Sequence, residues 1–158
     1  MKQLITGLLV CFLPFCFPAD ASAINKEDIV GQWRLLAIAS NGFYYDLDKD
    51  SIAFNKAFVS KEEDEKESLE TEIRSRFRNN KKQTLSLMSS GHYVIILTGE
   101  TAAGKYQFNN TSDPSTLSIT MPDTQQEELL KVNRTGNRLY LYREDEDEEP
   151  LTMIFILQ

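Results

Sequence analysis

Thr116-Leu117-Ser118-Ile119-Thr120-Met121 alternates polar and apolar residues without a break. A period of two puts Leu117, Ile119 and Met121 on one face of an extended chain and the hydroxyls on the other, the pattern of a strand with one buried face. The same texture spreads in both directions. Upstream, Thr84 to Met88 and Tyr93 to Leu97 flank the turn Ser89-Ser90-Gly91, and Lys105 to Phe108 follows Gly104. Downstream come Leu129 to Val132, Arg138 to Arg143 and Leu151 to Leu157. Asp113-Pro114, Pro122-Asp123 and Thr135-Gly136-Asn137 place turn chemistry between these runs. Short strands at about ten-residue spacing, punctuated in this way, predict a sandwich or a barrel.

Nearer the N-terminus, Gly31 to Ile38 reads as a strand after a short turn over Ile24 to Val30, where Asn25 is a plausible cap and Glu27 and Asp28 suit a first helical turn. Asn41-Gly42 is a strong hairpin signal and leads into Phe43-Tyr44-Tyr45. Ser51 to Val59 carries Ile52, Phe54 and Phe58 at even spacing and reads as a further strand. The texture then changes. Ser60-Lys61-Glu62-Glu63 is a capping box, Glu62 to Glu67 is acid-rich, and Arg74, Arg76 and Arg78 close the segment. Leu69, Ile73 and Phe77 recur every four residues, so Lys61 to Asn79 is expected to form one surface helix docked by a narrow stripe. The fold class expected is all-β with one inserted surface α-helix, in a single domain over 24–158 without internal repeats.

Residues 1–23 stand outside that domain. Lys2 followed by the apolar run Leu4 to Phe17 and by Ala21-Ser22-Ala23 reads as a cleaved export signal. The run is shorter than the roughly 20 residues a membrane helix needs, and Pro14 interrupts it, so no stable membrane anchor is expected. Cys11 and Cys16 lie in this segment and follow no lipid-attachment pattern. Removal of 23 of the 158 residues leaves a chain without a thiol, which excludes disulfides, a cysteine nucleophile and cysteine-ligated metal. Small exported domains of eukaryotes usually depend on disulfides, so a bacterial periplasmic or extracellular location is expected. The net charge of −7, unchanged by cleavage, argues against a nucleic-acid partner.

The order of motifs supplies a resemblance. Gly31-Gln32-Trp33 opens the first strand. Then follow Gly91-His92-Tyr93-Val94-Ile95, Gly104-Lys105-Tyr106-Gln107-Phe108, Leu117-Ser118-Ile119-Thr120 and Arg138-Leu139-Tyr140-Leu141. This order resembles the bacterial lipocalin-like domains, exported barrels that begin Gly-x-Trp, over Ile29 to Leu157. The resemblance implies an up-and-down antiparallel β-barrel in which Gly31 lets the backbone pack tightly while Trp33 plugs one end. It further implies a basic side chain from a late strand over the indole, with Arg138 and Arg143 as candidates. The charged helix departs from that pattern and sits where the family carries a strand or loop.

Other local patterns are weaker. Gly99 to Lys105 matches seven positions of a phosphate-binding loop, but Tyr106 replaces the magnesium-binding hydroxyl, and a strand rather than a helix should follow. Asp46-Leu47-Asp48-Lys49-Asp50 begins like a calcium loop but has Ser51 and Ala57 where glycine and glutamate are required. Glu144 to Glu149 is a run of six acids, expected to be solvated. His92, the single histidine, has Ser89 and Ser90 nearby without a visible third catalytic partner. The reading therefore assigns no catalytic residue, metal or cofactor. The aromatic side chains suggest a lined interior, with Trp33, Tyr93, Tyr106, Phe108, Tyr140 and Tyr142 as ligand-binding candidates. The expected function is non-catalytic carriage or sequestration of a small apolar or amphipathic ligand. The alternative is a filled barrel that binds an exported protein partner, with the helix and the acidic run at the interface.

Overall fold

A computed structural model describes residues 24–55, 63–97, 100–120, 126–144 and 150–158. The expected leader falls outside these residues, as do the Ser60 capping box and the acids that follow Glu144. The chain forms β1 (Gly31–Ser40), β2 (Phe43–Asp46), β3 (Ser51–Phe54), β4 (Thr84–Leu87), β5 (His92–Leu97), β6 (Glu100–Asn109), β7 (Thr116–Thr120), β8 (Glu127–Thr135), β9 (Arg138–Arg143) and β10 (Leu151–Leu157). Two helices join them: α1 (Lys26–Ile29) precedes β1, and α2 (Glu63–Phe77) runs into a 3-10 turn, Arg78–Lys82, ahead of β4. Every strand pairing is antiparallel.

The sheet runs β1-β4-β5-β6-β7-β8-β9-β10 and closes where β10 pairs with β1, giving an eight-stranded barrel with the β2–β3 hairpin as two extra strands. Closure satisfies the backbone groups that an open sheet would leave at its two edges. Strand β1 makes the hairpin possible by dividing one edge. Gly31 to Arg34 pair with β4, whereas Ala37 to Ala39 pair with β2. Between these stretches the register against β10 slips, with Leu35 opposite Phe155 and Ala37 opposite Ile154. The extra residue changes the phase of the strand, so Trp33, Leu35 and then Ile38 belong to the core, while the small Ala37 and Ala39 take the other face.

Alternation fills the interior from every wall. Leu35, Leu85, Leu87, Leu117, Leu130, Leu139, Leu141 and Phe155 are all buried to within 2% of completely. Each such side chain contributes about 1.5–3 kcal/mol relative to leaving it in water.

Helix α1 closes one end of the barrel, and Trp33 organises it. The indole Nε1–H donates to the Ile29 carbonyl at 2.8 Å. The Asn25 amide donates to the Asp28 carboxylate at 2.8 Å and the Asp28 amide to the Asn25 carbonyl at 3.0 Å, holding the first turn of the short helix. Lys26 Nζ donates to the Ser89 carbonyl at 2.9 Å, tying the helix to the β4–β5 turn. The basic side chain over the indole is that of Arg134, at 5.8 Å, and its guanidinium also donates to the Asp28 carbonyl. Arg138 and Arg143 do not fill the role expected of them. Arg134 does, because it shares the face of β8 that carries Leu130 and Val132 into the core.

Helix α2 docks by the expected stripe, with Ile73 and Phe77 buried and Leu69 half-buried. The Phe77 ring lies 6.1 Å from that of Phe43 on β2. Arg74 donates to the Asp50 carbonyl at 2.7 Å, fastening the helix to the β2–β3 turn.

Candidate functional site

The six aromatic candidates separate into three groups. Trp33 belongs to the closed end just described. Tyr93 and Tyr106 point into the barrel, but their hydroxyls are spent on the main chain. Tyr93 donates to the Thr120 carbonyl at 3.2 Å and Tyr106 to the Met88 carbonyl at 2.7 Å. Burial, with the nearby Glu27 carboxylate, pushes the Tyr106 phenol above its ordinary pKa. These two side chains serve as packing and as cross-barrel fasteners. Phe108 is half-buried at the margin of the core.

Tyr140 and Tyr142 are a correction. They occupy the face of β9 opposite Leu139 and Leu141, and the leucines are the pair that enters the core. An apolar side chain gains by leaving water without conditions, whereas a buried phenol must also find a hydrogen-bond partner. Tyr142 instead packs on the outside beneath the ammonium of Lys131, 5.3 Å from the ring centre. Tyr140 lies in register with Asn133 and Ile154 on that outer face.

The accessible part of the interior lies elsewhere. Ile95, Leu151 and Met153 are half-buried and pack against the fully buried core. Ile95 shares a strand face with Tyr93, and Leu97, 36% exposed, continues that face toward the end of β5. Glu100 pairs with Leu97 across the β5–β6 hairpin, so it stands on the same face. On β8, half-buried Glu128 pairs with Ile119 and shares its face with Leu130. Arg143 pairs with both Leu130 and Leu151 and is on this face too. On α2, Asp64, Glu65, Ser68, Leu69 and Glu72 line an open depression of about 410 Å³. Leu69 carries that depression toward the core. On the strands the arrangement is an apolar, partly accessible surface above a buried floor, with Glu100 and Glu128 on the same face. Alternation along β5 was the sequence signal for Ile95 and Leu97, but nothing local marked Glu100 or Glu128.

The weaker motifs settle into structural roles. Glu100 to Lys105 is part of strand β6, and β6 continues to Asn109 without a helix. In the Asp46–Asp50 turn the acids are held by side chains and amides. Asp46 accepts from the amides of Asp48 and Lys49, at 3.1 and 3.0 Å. Asp48 binds both guanidinium nitrogens of Arg34, at 2.6 and 2.9 Å. Asp50 accepts from the Tyr45 hydroxyl and from Arg74. The hydrogen-bonded guanidinium of Arg34 holds the Asp48 carboxyl below its usual range. Ser90 Oγ lies 3.1 Å from His92 Nδ1 on the exposed β4–β5 turn. Of the acidic run only Glu144 is described, and it pairs with Lys131. Among the described residues, no helix is long and apolar enough to cross a membrane.

No protein-family model matches the chain. No curated protein matches it either. Among solved structures, the chain is similar to a crystal structure of a DUF4847 family protein from Bacteroides vulgatus. The identity is 12% and the TM-score 0.48, over 82% of this chain and 93% of the other.

Proposed function

We propose that the protein is an exported, non-catalytic binding protein of the lipocalin-like kind. It takes a small apolar or amphipathic molecule on the accessible part of its barrel interior. One observation carries the reading. Inward apolar side chains at the end away from α1, Ile95, Leu151 and Met153, stay partly exposed, whereas Trp33, Leu87 and Leu139 at the α1 end are buried. Soluble proteins do not gain by leaving inward apolar surface wet, and a ligand that covers it recovers about 25 cal/mol per Å². The Gly31-Gln32-Trp33 opening and the Arg134 cover over Trp33 are consistent with the lipocalin-like arrangement.

The experiment is titration with N-phenyl-1-naphthylamine, an uncharged apolar fluorophore that brightens on leaving water. Saturable binding at one site per chain is expected, weakened at least tenfold by Ile95→Asp and unaffected by Tyr140→Ala on the outer face. Non-saturable fluorescence, or equal binding by a folded Ile95→Asp variant, would overturn the proposal.

A further inference from the structure

Resting on the reading just given, we infer that α2 is a lid over the accessible part of the barrel interior, hinged at the 3-10 turn and latched to the β2–β3 turn by Arg74. The inward face of the sheet sets its place. One row of register partners crosses that face as Leu141, Met153, Ile38, Tyr45 and Ile52. Met153 is half-buried and belongs to the accessible surface, whereas Tyr45 is buried. Helix α2 lies over the Tyr45 end of this row. Its Arg74 guanidinium is 5.9 Å from the centre of the Tyr45 ring, and its Phe77 packs on Phe43, two residues along β2 on the same face. The helix thus covers the hairpin half of a continuous apolar floor whose other half is open.

Its hold on that floor is slight and uneven. Of its 15 residues only Ile73 and Phe77 are buried, both near the C-terminal end. Elements held by so few buried contacts are those that open locally. The chain beyond the helix is anchored. Gln83 is buried, its carbonyl accepts from the Leu35 amide at 2.9 Å, and its amide donates to the Asn80 carbonyl at 2.8 Å. Between anchor and helix lies the tightened turn Arg78–Lys82, a geometry that often marks a hinge. The latch is polar. Arg74 donates to the Asp50 carbonyl at 2.7 Å and to the Asp50 carboxylate, which also accepts from the Tyr45 hydroxyl at 2.6 Å. Glu70, on the helix itself, lies 3.6 Å from the same guanidinium, so an Arg74 released by Asp50 keeps a charge partner. Opening this latch leaves every strand pairing intact, and the ligand enters and leaves without disturbing the barrel wall.

The test is stopped-flow mixing of the full-length mature protein with N-phenyl-1-naphthylamine, which reads the association and dissociation rates separately from the titrated Kd. Arg74→Met keeps the stem over Tyr45 and removes the latch. Both rates should rise together, by about threefold to tenfold, while Kd stays within about twofold, because a looser lid lowers the same barrier in both directions. Asp50→Asn, which suits the left-handed backbone of that residue (φ 50°), should move both rates in the same direction by less. Arg34→Met breaks the ion pair to Asp48 in the same turn without touching the helix, and should change neither rate. Amide hydrogen exchange gives a second readout: α2 should exchange faster than the strands in the free protein and slow on saturation with the fluorophore. Rates unchanged in Arg74→Met, or raised equally by Arg34→Met, overturn the lid and leave the apolar site standing. A weakened Kd at an unchanged association rate would make α2 a fixed wall of the site, which likewise overturns the lid. Absence of saturable binding by the parent protein would remove the site, and the lid with it.

Discussion

Gly104 gives the sharpest test of the barrel's packing. A Cβ at this position would stand 2.7 Å from the Thr120 carbonyl oxygen and 2.8 Å from Tyr93 Cε1. Neither neighbour can easily yield. The Thr120 oxygen belongs to β7, and the Tyr93 ring is buried and tethered by its hydroxyl to that same oxygen at 3.2 Å. Two effects oppose each other in Gly104→Ala. Restricting the unfolded chain favours alanine by roughly 0.4–1 kcal/mol where the native backbone admits it. Forcing a methyl into a filled interior costs about 1–3 kcal/mol. Two contacts inside 3.0 Å, one of them to backbone, let the steric cost win, so a net loss of about 1–2 kcal/mol is expected. With a urea slope near 2 kcal/mol/M, the midpoint should fall by about 0.5–1 M with the slope unchanged. Tyr93→Leu removes the ring, so a double-mutant cycle should return a favourable coupling of about 1 kcal/mol between the two substitutions. An alanine variant as stable as the parent would mean that unfolded-chain entropy decides the outcome. The pairing of Gly104 with Tyr93 across β5 and β6 would then be wrong.

Replacing Arg134 by Met keeps the stem but removes the cation over Trp33 and the bond to the Asp28 carbonyl; about 1–3 kcal/mol of stability should be lost, read by thermal unfolding, together with a changed Trp33 emission. The Asp48–Arg34 pair should lend stability of at most about 1 kcal/mol, because both side chains are partly exposed. Since the folded carboxyl is depressed, that contribution is present above the unfolded value and lost as pH falls through the folded one. The stability gap between the parent and Asp48→Asn should accordingly close below about pH 4, with no such closure in an Arg34→Met background. Tyr140→Ala and Tyr142→Ala should leave fluorophore affinity within twofold, because both rings stand outside the barrel; a larger loss in the titration would restore them to the lining.

Where the sequence could be read, local alternation did the work. Strands β7 and β9 keep a period of two, β10 is an almost continuous apolar run, and the bounds of all three match the structure within a residue. The faces of β9 were equally legible, but which face enters the core was not. Periodicity separates Tyr140 from Leu139, whereas the inward choice depends on the opposite wall. The expected strand Lys105 to Phe108 proved to be the second half of β6, which starts at Glu100. Ala102-Ala103 has little strand propensity of its own and is held extended by pairing with Ile95 and Val94. Gly104 is small because Tyr93 takes its volume, a reason that lies on another strand. Arg134 was missed for a similar cause. The apolar pattern stops at Val132, and one further step of alternation carries the Arg134 guanidinium to the indole. The phase change at Leu36 left no local mark, because Leu-Leu-Ala-Ile-Ala reads the same with or without it. The expected helix shortened to Glu63–Phe77 within the described residues, and its last turn tightened into Arg78–Lys82.

Closure through β1 and β10 has a consequence for biogenesis. Trp33 stands opposite Leu157, so the contact that completes the barrel joins opposite ends of the domain. Pairings of such wide sequence separation form late, because the entropy of joining the ends must be met before the contact returns anything. Until residues 151–157 have left the ribosome, β1 and β9 each present an unpaired edge, the state most exposed to intermolecular strand addition. The last seven-residue strand therefore acts as the latch of the whole sheet. A chain truncated ahead of it should accumulate as aggregate rather than as a slightly smaller barrel.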